Sequence, residues 1–158
     1  MKVFCPALLS GKYIPPRFAS KTVPGGQNTS PPISWSEIPS GTKSFALSII
    51  DRDPSARGAI QWLVANIPHW TREIAEGASD VSRKMPVGSV ELRNREGSMM
   101  YKGPDLPKGS EPHEYLITVY ALSVAEILLG SISPPGQFDK EIAGKVIEQG
   151  STIAIYQP

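Results

Sequence analysis

Lys43-Ser44-Phe45-Ala46-Leu47-Ser48-Ile49-Ile50 is an apolar, β-prone run of strand length, and Asp51-Arg52-Asp53-Pro54-Ser55 follows it at once. Pro39-Ser40-Gly41 bounds the run upstream, and its near-continuous apolarity predicts a central strand covered on both faces. Gln61-Trp62-Leu63-Val64-Ala65-Asn66-Ile67, closed by Pro68, reads the same way. Leu116 to Leu122 is a third such run, and Thr152 to Tyr156 a short terminal one.

Around these strands the chain is rich in stiff connections. Sixteen prolines and fourteen glycines in 158 residues suit many short strands and loops better than a helical bundle. One helix is expected over Phe138 to Glu148, where Phe138, Ile142, Val146 and Ile147 fall at helical spacing and Gly150 stands where a C-terminal cap belongs. A shorter helical piece is expected around Ser123 to Leu129, and Thr71 to Gly97 reads as loop with weak strand signals. The length fits a single, mostly β domain spanning residues 1–158 with one hydrophobic core.

Composition excludes several classes. With 40% apolar residues, 20% charged residues and a net charge of +1, the chain is not disordered, nor electrostatically committed to nucleic acid or an acidic membrane. The single Cys5 cannot form an internal disulfide, and no C-x-x-C or His/Cys cluster points to zinc. Pro6 interrupts the apolar residues near the N-terminus before they reach the length of a signal core, so a cytoplasmic protein without stable membrane insertion is expected.

The chemistry gathers in two stretches. In extended chain, residues two apart share a face roughly 7 Å from one another. Asp51 and Asp53 therefore point the same way at a strand end, either as Asx turns bonding nearby backbone N–H groups before Pro54, or as a cation site. Two carboxylates fall short of the ligands calcium needs, so no metal is expected, and no cofactor. The second stretch is Tyr101-Lys102-Gly103-Pro104-Asp105-Leu106-Pro107-Lys108-Gly109, running on to Pro112-His113-Glu114-Tyr115. Its glycines let backbone approach a ligand, its prolines stiffen it, and His113 stands at the mouth of the following strand. No Walker or G-x-G-x-x-G pattern occurs.

These motifs, with Asn28-Thr29-Ser30-Pro31-Pro32-Ile33-Ser34-Trp35 and Trp62 to Pro68 in order between them, resemble the phosphatidylethanolamine-binding protein family. The likeness is to its bacterial and archaeal branch, the relatives of Raf kinase inhibitor protein, and it covers almost the whole chain. It implies a central β-sheet packed on a second, smaller sheet, a helix near the C-terminus, and a small cavity taking phosphate, acetate, cacodylate or a phosphorylated headgroup. Carried over, the pocket residues are Asp51, Asp53, Gln61, Tyr101, Gly103, Pro104, Asp105, Pro107, His113 and Tyr115. In that pocket an imidazolium at His113 and backbone donors near Gly103 would hold the anion, and Asp51 would fix the His113 tautomer and receive a ligand ammonium. Partners implied are a small anionic ligand, a protein such as a kinase or serine protease under regulation, and a second copy in a homodimer, with no nucleic acid.

Four positions depart from the family pattern. Gln61 replaces a histidine, Arg52 a proline between the aspartates, Asp105 a small loop residue, and Glu114 an arginine. Gln61 donates hydrogen bonds but cannot become cationic, and an inward Asp105 would oppose an anion. Arg52 and Glu114 would form the family's ion pair with its ends exchanged. Three functions stay open: a non-catalytic anion-binding regulator, a hydrolase or lyase using Asp51, Asp53 and His113, and a scaffold with a vestigial pocket. No G-x-S-x-G elbow or H-E-x-x-H helix supplies an enzyme's machinery, which favours binding.

Overall fold

Alternate side chains of the opening strand go to two separate cores, as a strand covered on both faces requires. Phe45, Leu47 and Ile49 join a buried cluster with Ile33, Trp35, Trp62, Val64 and Ile117, whereas Ala46 joins a second one with Leu63, Ala65, Leu122 and Phe138. The computed structural model describes every residue except 81, 83 and 131. Its elements are β1 (Lys2–Phe4), β2 (Ile33–Ser36), β3 (Ser44–Asp51), β4 (Ile60–Pro68), β5 (Glu73–Ile74), β6 (Val90–Glu91), β7 (His113–Leu122), α1 (Pro135–Ile142) and β8 (Val146–Tyr156). A five-stranded antiparallel sheet runs β6-β4-β3-β7-β8, and a three-stranded one runs β1-β2-β5. The first core lies between the sheets, and the second lies under α1 on the outer face of the larger sheet.

Two irregularities in β4 position everything that matters. Phe45 pairs with Ile67 but Leu47 with Val64, so β4 carries one extra residue, and Asn66 takes it with a left-handed φ of 56°. Asparagine tolerates that conformation better than most residues. Its amide then donates to the Ile127 carbonyl at 3.2 Å and accepts the Ile127 N–H at 2.9 Å, pinning the segment after β7 over the second core. The second bulge lies at the other end. Ile49 pairs with Trp62 and Ile50 with Ile60, leaving Gln61 as the inserted residue.

The structure corrects two helical expectations. Helix α1 ends at Ile142, where the Lys145 N–H donates back to the Ile142 carbonyl and Gly144, at φ 74°, turns the chain. Val146 and Ile147 belong instead to β8, an eleven-residue strand paired with β7, and Gly150 lies inside it opposite Val119. Ser123 to Leu129 is irregular chain without a helix, its place set by Asn66. Of the loop expected over Thr71 to Gly97, only β5 and β6 are strand, and residues 81 and 83 lie outside the described residues. No helix among the described residues is long and apolar enough to cross a membrane.

Candidate functional site

Strand parity carries four polar groups to one end of the inter-sheet core. Asp51 continues the row Phe45, Leu47, Ile49 on β3; His113 and Tyr115 continue the row Ile117, Val119 on β7; and Tyr156 continues Ala154 on β8. Asp51 pairs with Tyr115 across the β3–β7 ladder, and His113 with Tyr156 across the β7–β8 ladder. The polar groups meet where the strands end because apolar burial gives way there to solvent.

Asp51, only 4% exposed, divides its oxygens. Oδ1 accepts the Asp53 N–H at 2.9 Å, an Asx turn, and Oδ2 accepts from His113 Nδ1 at 2.7 Å. Asp53 does the same at longer range: Oδ1 accepts the Ser55 N–H at 2.9 Å and starts the Pro54–Ala56 turn, while Oδ2 stands 3.7 Å from His113 Nε2. Each aspartate thus gives one oxygen to an Asx turn and turns the other toward His113. His113, with a side chain 11% exposed, is clamped between two carboxylates with its Nδ1 proton committed. Bonds from the Ser55 hydroxyl and amide hold the Asp53 carboxyl below the ordinary carboxylate range. Burial, with Asp51 beside it, pushes the Tyr115 hydroxyl up.

Behind this pair the β4 bulge turns Gln61 to the same side as Trp62. Gln61 lines a small cavity of about 20 Å³ with Cys5, Phe18, Tyr101, Pro104 and Tyr115. Its Oε1 is buried without a hydrogen-bond partner, and its backbone carbonyl accepts the Lys102 N–H at 2.9 Å, which fastens the 101–109 loop to the strand. A bulge beside a site, re-aiming one side chain into it, is a recurrent device of β proteins.

Residues 6–157 match the sequence pattern of the family described as phosphatidylethanolamine-binding protein. The chain belongs to that family. It is 33% identical to a UPF0098 protein of Aquifex aeolicus over 99% of this chain and 88% of that one, and 36% identical to the UPF0098 protein YbhB of Escherichia coli over 80% and 81%. The crystal structure of Escherichia coli YbcL, titled a new member of the mammalian PEBP family, superposes with a TM-score of 0.90 at 29% identity, covering 99% of this chain and 98% of that one. The larger sheet, the smaller sheet and the C-terminal helix expected of a phosphatidylethanolamine-binding protein fold are all present.

Within that fold the residues of the loop divide. Pro104 lines the cavity, and its carbonyl accepts the Ser20 N–H at 2.8 Å. Tyr101 lines it with its ring, but its hydroxyl is spent on the Phe18 carbonyl at 2.9 Å. The Gly103 N–H, expected to face an anion, donates instead to Asn28 Oδ1 at 2.7 Å, because Asn28 clamps the loop and also donates to the Tyr101 carbonyl at 3.0 Å. Pro107 lies on the exposed part of the loop, its carbonyl accepting the Ser110 N–H at 3.0 Å. Asp105 does not stand as a bare opposing charge: Oδ1 meets Arg95 Nη2 at 2.6 Å, and Oδ2 is 3.8 Å from Lys102 Nζ. Arg52 and Glu114 do face each other, at 3.9 Å with side chains 50% and 54% exposed, a pair that contributes little. Sequence reasoning missed Arg95 and Asn28 as organisers of the site. Asn28 carries one sequence signal, its place at the head of the Asn28–Trp35 stretch on which the resemblance rests, and it adopts there a positive φ of 54° that asparagine tolerates.

Proposed function

We propose that this chain is a non-catalytic binding protein for a small anion, phosphate or a phosphorylated group, held at His113. The observation that supports this best is the 2.7 Å bond from Nδ1 to buried Asp51. It fixes the ring, so that a cationic imidazole directs its Nε2–H outward to a ligand oxygen as a charge-assisted donor. Because Asp51 has both oxygens engaged, Asp53 Oδ2 is the carboxylate placed to receive an ammonium group on the same ligand, a change from the role the sequence suggested for Asp51. The buried Gln61 Oε1 adds an acceptor for a ligand or water N–H or O–H donor.

Chemistry favours binding over turnover. The Ser55 hydroxyl donates to Asp53, whose carboxyl is held below its ordinary range and is a weak base, and burial lifts the Cys5 thiol to about 11, leaving it a poor nucleophile. Family membership supports a regulatory role in which the occupied pocket modulates a partner such as a kinase or serine protease. One unpaired, buried cysteine suits action in the cytoplasm. Amide chemical shifts followed against inorganic phosphate, O-phosphotyrosine and phosphoethanolamine test the reading. Saturable shifts around His113 that vanish in His113→Ala are expected, with no hydrolysis of a phosphomonoester. Turnover that disappears with the same substitution would make the protein an enzyme, and no shifts at millimolar ligand would leave it a scaffold.

A further inference from the structure

Arg95 stands in a turn built by Asn94, whose Oδ1 accepts the N–H groups of Glu96 and Ser98 at 2.9 and 3.2 Å and whose Nδ2 donates to the Met100 carbonyl at 2.8 Å. The Arg95 N–H donates to the Ile60 carbonyl at 2.8 Å. Ile60 pairs with Ile50, so this bond brings the arginine to the strand end that carries Asp51. From there the guanidinium reaches across to Asp105 at 2.6 Å. Asp105 directly follows Pro104, which lines the cavity with Gln61 and Tyr115, so the pair stands beside that lining.

Two features leave the pair open to exchange. The side chains are 27% and 29% exposed, shielded yet reachable, and such a pair is a weak tie. Asp105 Oδ1 meets Nη2 of the guanidinium, and the guanidinium fork, with five donors, matches a phosphate bidentately. The neighbouring Lys102 is differently placed: its ammonium already holds Ser20 Oγ and Glu96 Oε1, each at 3.0 Å, and is 3.8 Å from Asp105.

We infer that Arg95 is the second anion-holding cation of the pocket and that Asp105 is its resident counter-ion, whose carboxylate a ligand phosphate displaces on binding. The inference rests on the anion-binding reading at His113. It assigns to Asp105 a tuning role: the loop carries its own competitor, so the pocket selects ligands with more than one anionic oxygen over simple monoanions. It also accounts chemically for a pocket that has Gln61 where a histidine was expected, since the missing positive charge is supplied from the 94–100 turn.

Inorganic phosphate and acetate, titrated by calorimetry into the full chain and five variants, test this. Asp105→Asn, which keeps shape and removes charge, is expected to tighten phosphate by about tenfold and acetate by less. Arg95→Gln is expected to weaken phosphate by a similar factor, and Arg95→Lys to restore part of it, which a merely structural role would not produce. In Asp105→Asn/Arg95→Gln the gain should vanish; a gain that survives there is a general charge effect and overturns the inference. Phosphate affinity unchanged in Asp105→Asn but abolished in His113→Ala leaves the anion site standing and refutes the role of Arg95. Phosphate bound by neither the natural chain nor Asp105→Asn refutes both. Asp105→Ser serves in place of Asp105→Asn should the latter melt early.

Discussion

Asp53 shows how one carboxylate serves a turn and a site at once. Its Oδ1 caps the Pro54–Ala56 turn by accepting the Ser55 N–H, and the Ser55 hydroxyl bond to the same oxygen is the main reason its carboxyl sits below the ordinary value of 3.8. A carboxyl whose folded value is depressed contributes stability above its unfolded value and loses it as the pH falls through the folded one. Acidification below about pH 4 should therefore erode stability through this residue. In Asp53→Asn, which keeps an acceptor but cannot titrate, the urea midpoint should fall less steeply over that range, and an unchanged slope would remove Asp53 from the acid response. At this scale the sequence was readable where parity decides. The row Phe45, Leu47, Ile49, Asp51 puts the aspartate on the core face without any coordinates, and His113 lies on the face of Tyr115 and Ile117 by the same count. Arg95 was not readable, because its place depends on three side-chain bonds of Asn94 and a backbone bond to Ile60, none of which leaves a periodic trace.

Elements fail or hold by what crosses them. The 101–109 loop is kept against the 18–20 segment by Asn28 and by the absence of a side chain at Gly103, where a Cβ would lie 2.2 Å from the Phe18 carbonyl oxygen. Gly103→Ala should cost about 2–3 kcal/mol in chemical denaturation and weaken ligand binding together, since the loop must lift from its seat. A variant as stable as the natural chain would show that the contact relaxes freely. The misread end of α1 has a cause of the same kind. Phe138, Ile142, Val146 and Ile147 keep helical spacing, but the turn at Gly144 intervenes and β7 pairs with Val146 and, past a bulge at Ile147, with every residue from Glu148 to Tyr156. Spacing registers which residues are apolar and is blind to a strand waiting alongside. The bulge at Gln61 was invisible for a related reason, since it is defined by the partner strand and not by its own residues.

For the molecule as a whole, the space between the two sheets links site and stability. Tyr101 and Tyr115 lie in that core, and burial pushes both hydroxyls well above the ordinary value of 10.0. A raised folded value means that stability is complete below the unfolded value and declines as the pH climbs beyond it. Phenolate absorbance from these two residues should therefore appear only together with the loss of circular dichroism on alkaline titration. Ionisation well before unfolding would mean that the inter-sheet core is open to water. The same core supplies the rigid backing on which the anion account depends, because Asp51 and His113 are its last layer.

That account is tested most directly by the ring nitrogens of His113, observed by ¹⁵N spectroscopy while inorganic phosphate is added. Saturable movement of both nitrogens, ending at values of a doubly protonated ring with Nδ1–H still bonded to Asp51, is the predicted result. Ring shifts that stay still or drift linearly to tens of millimolar phosphate would contradict it.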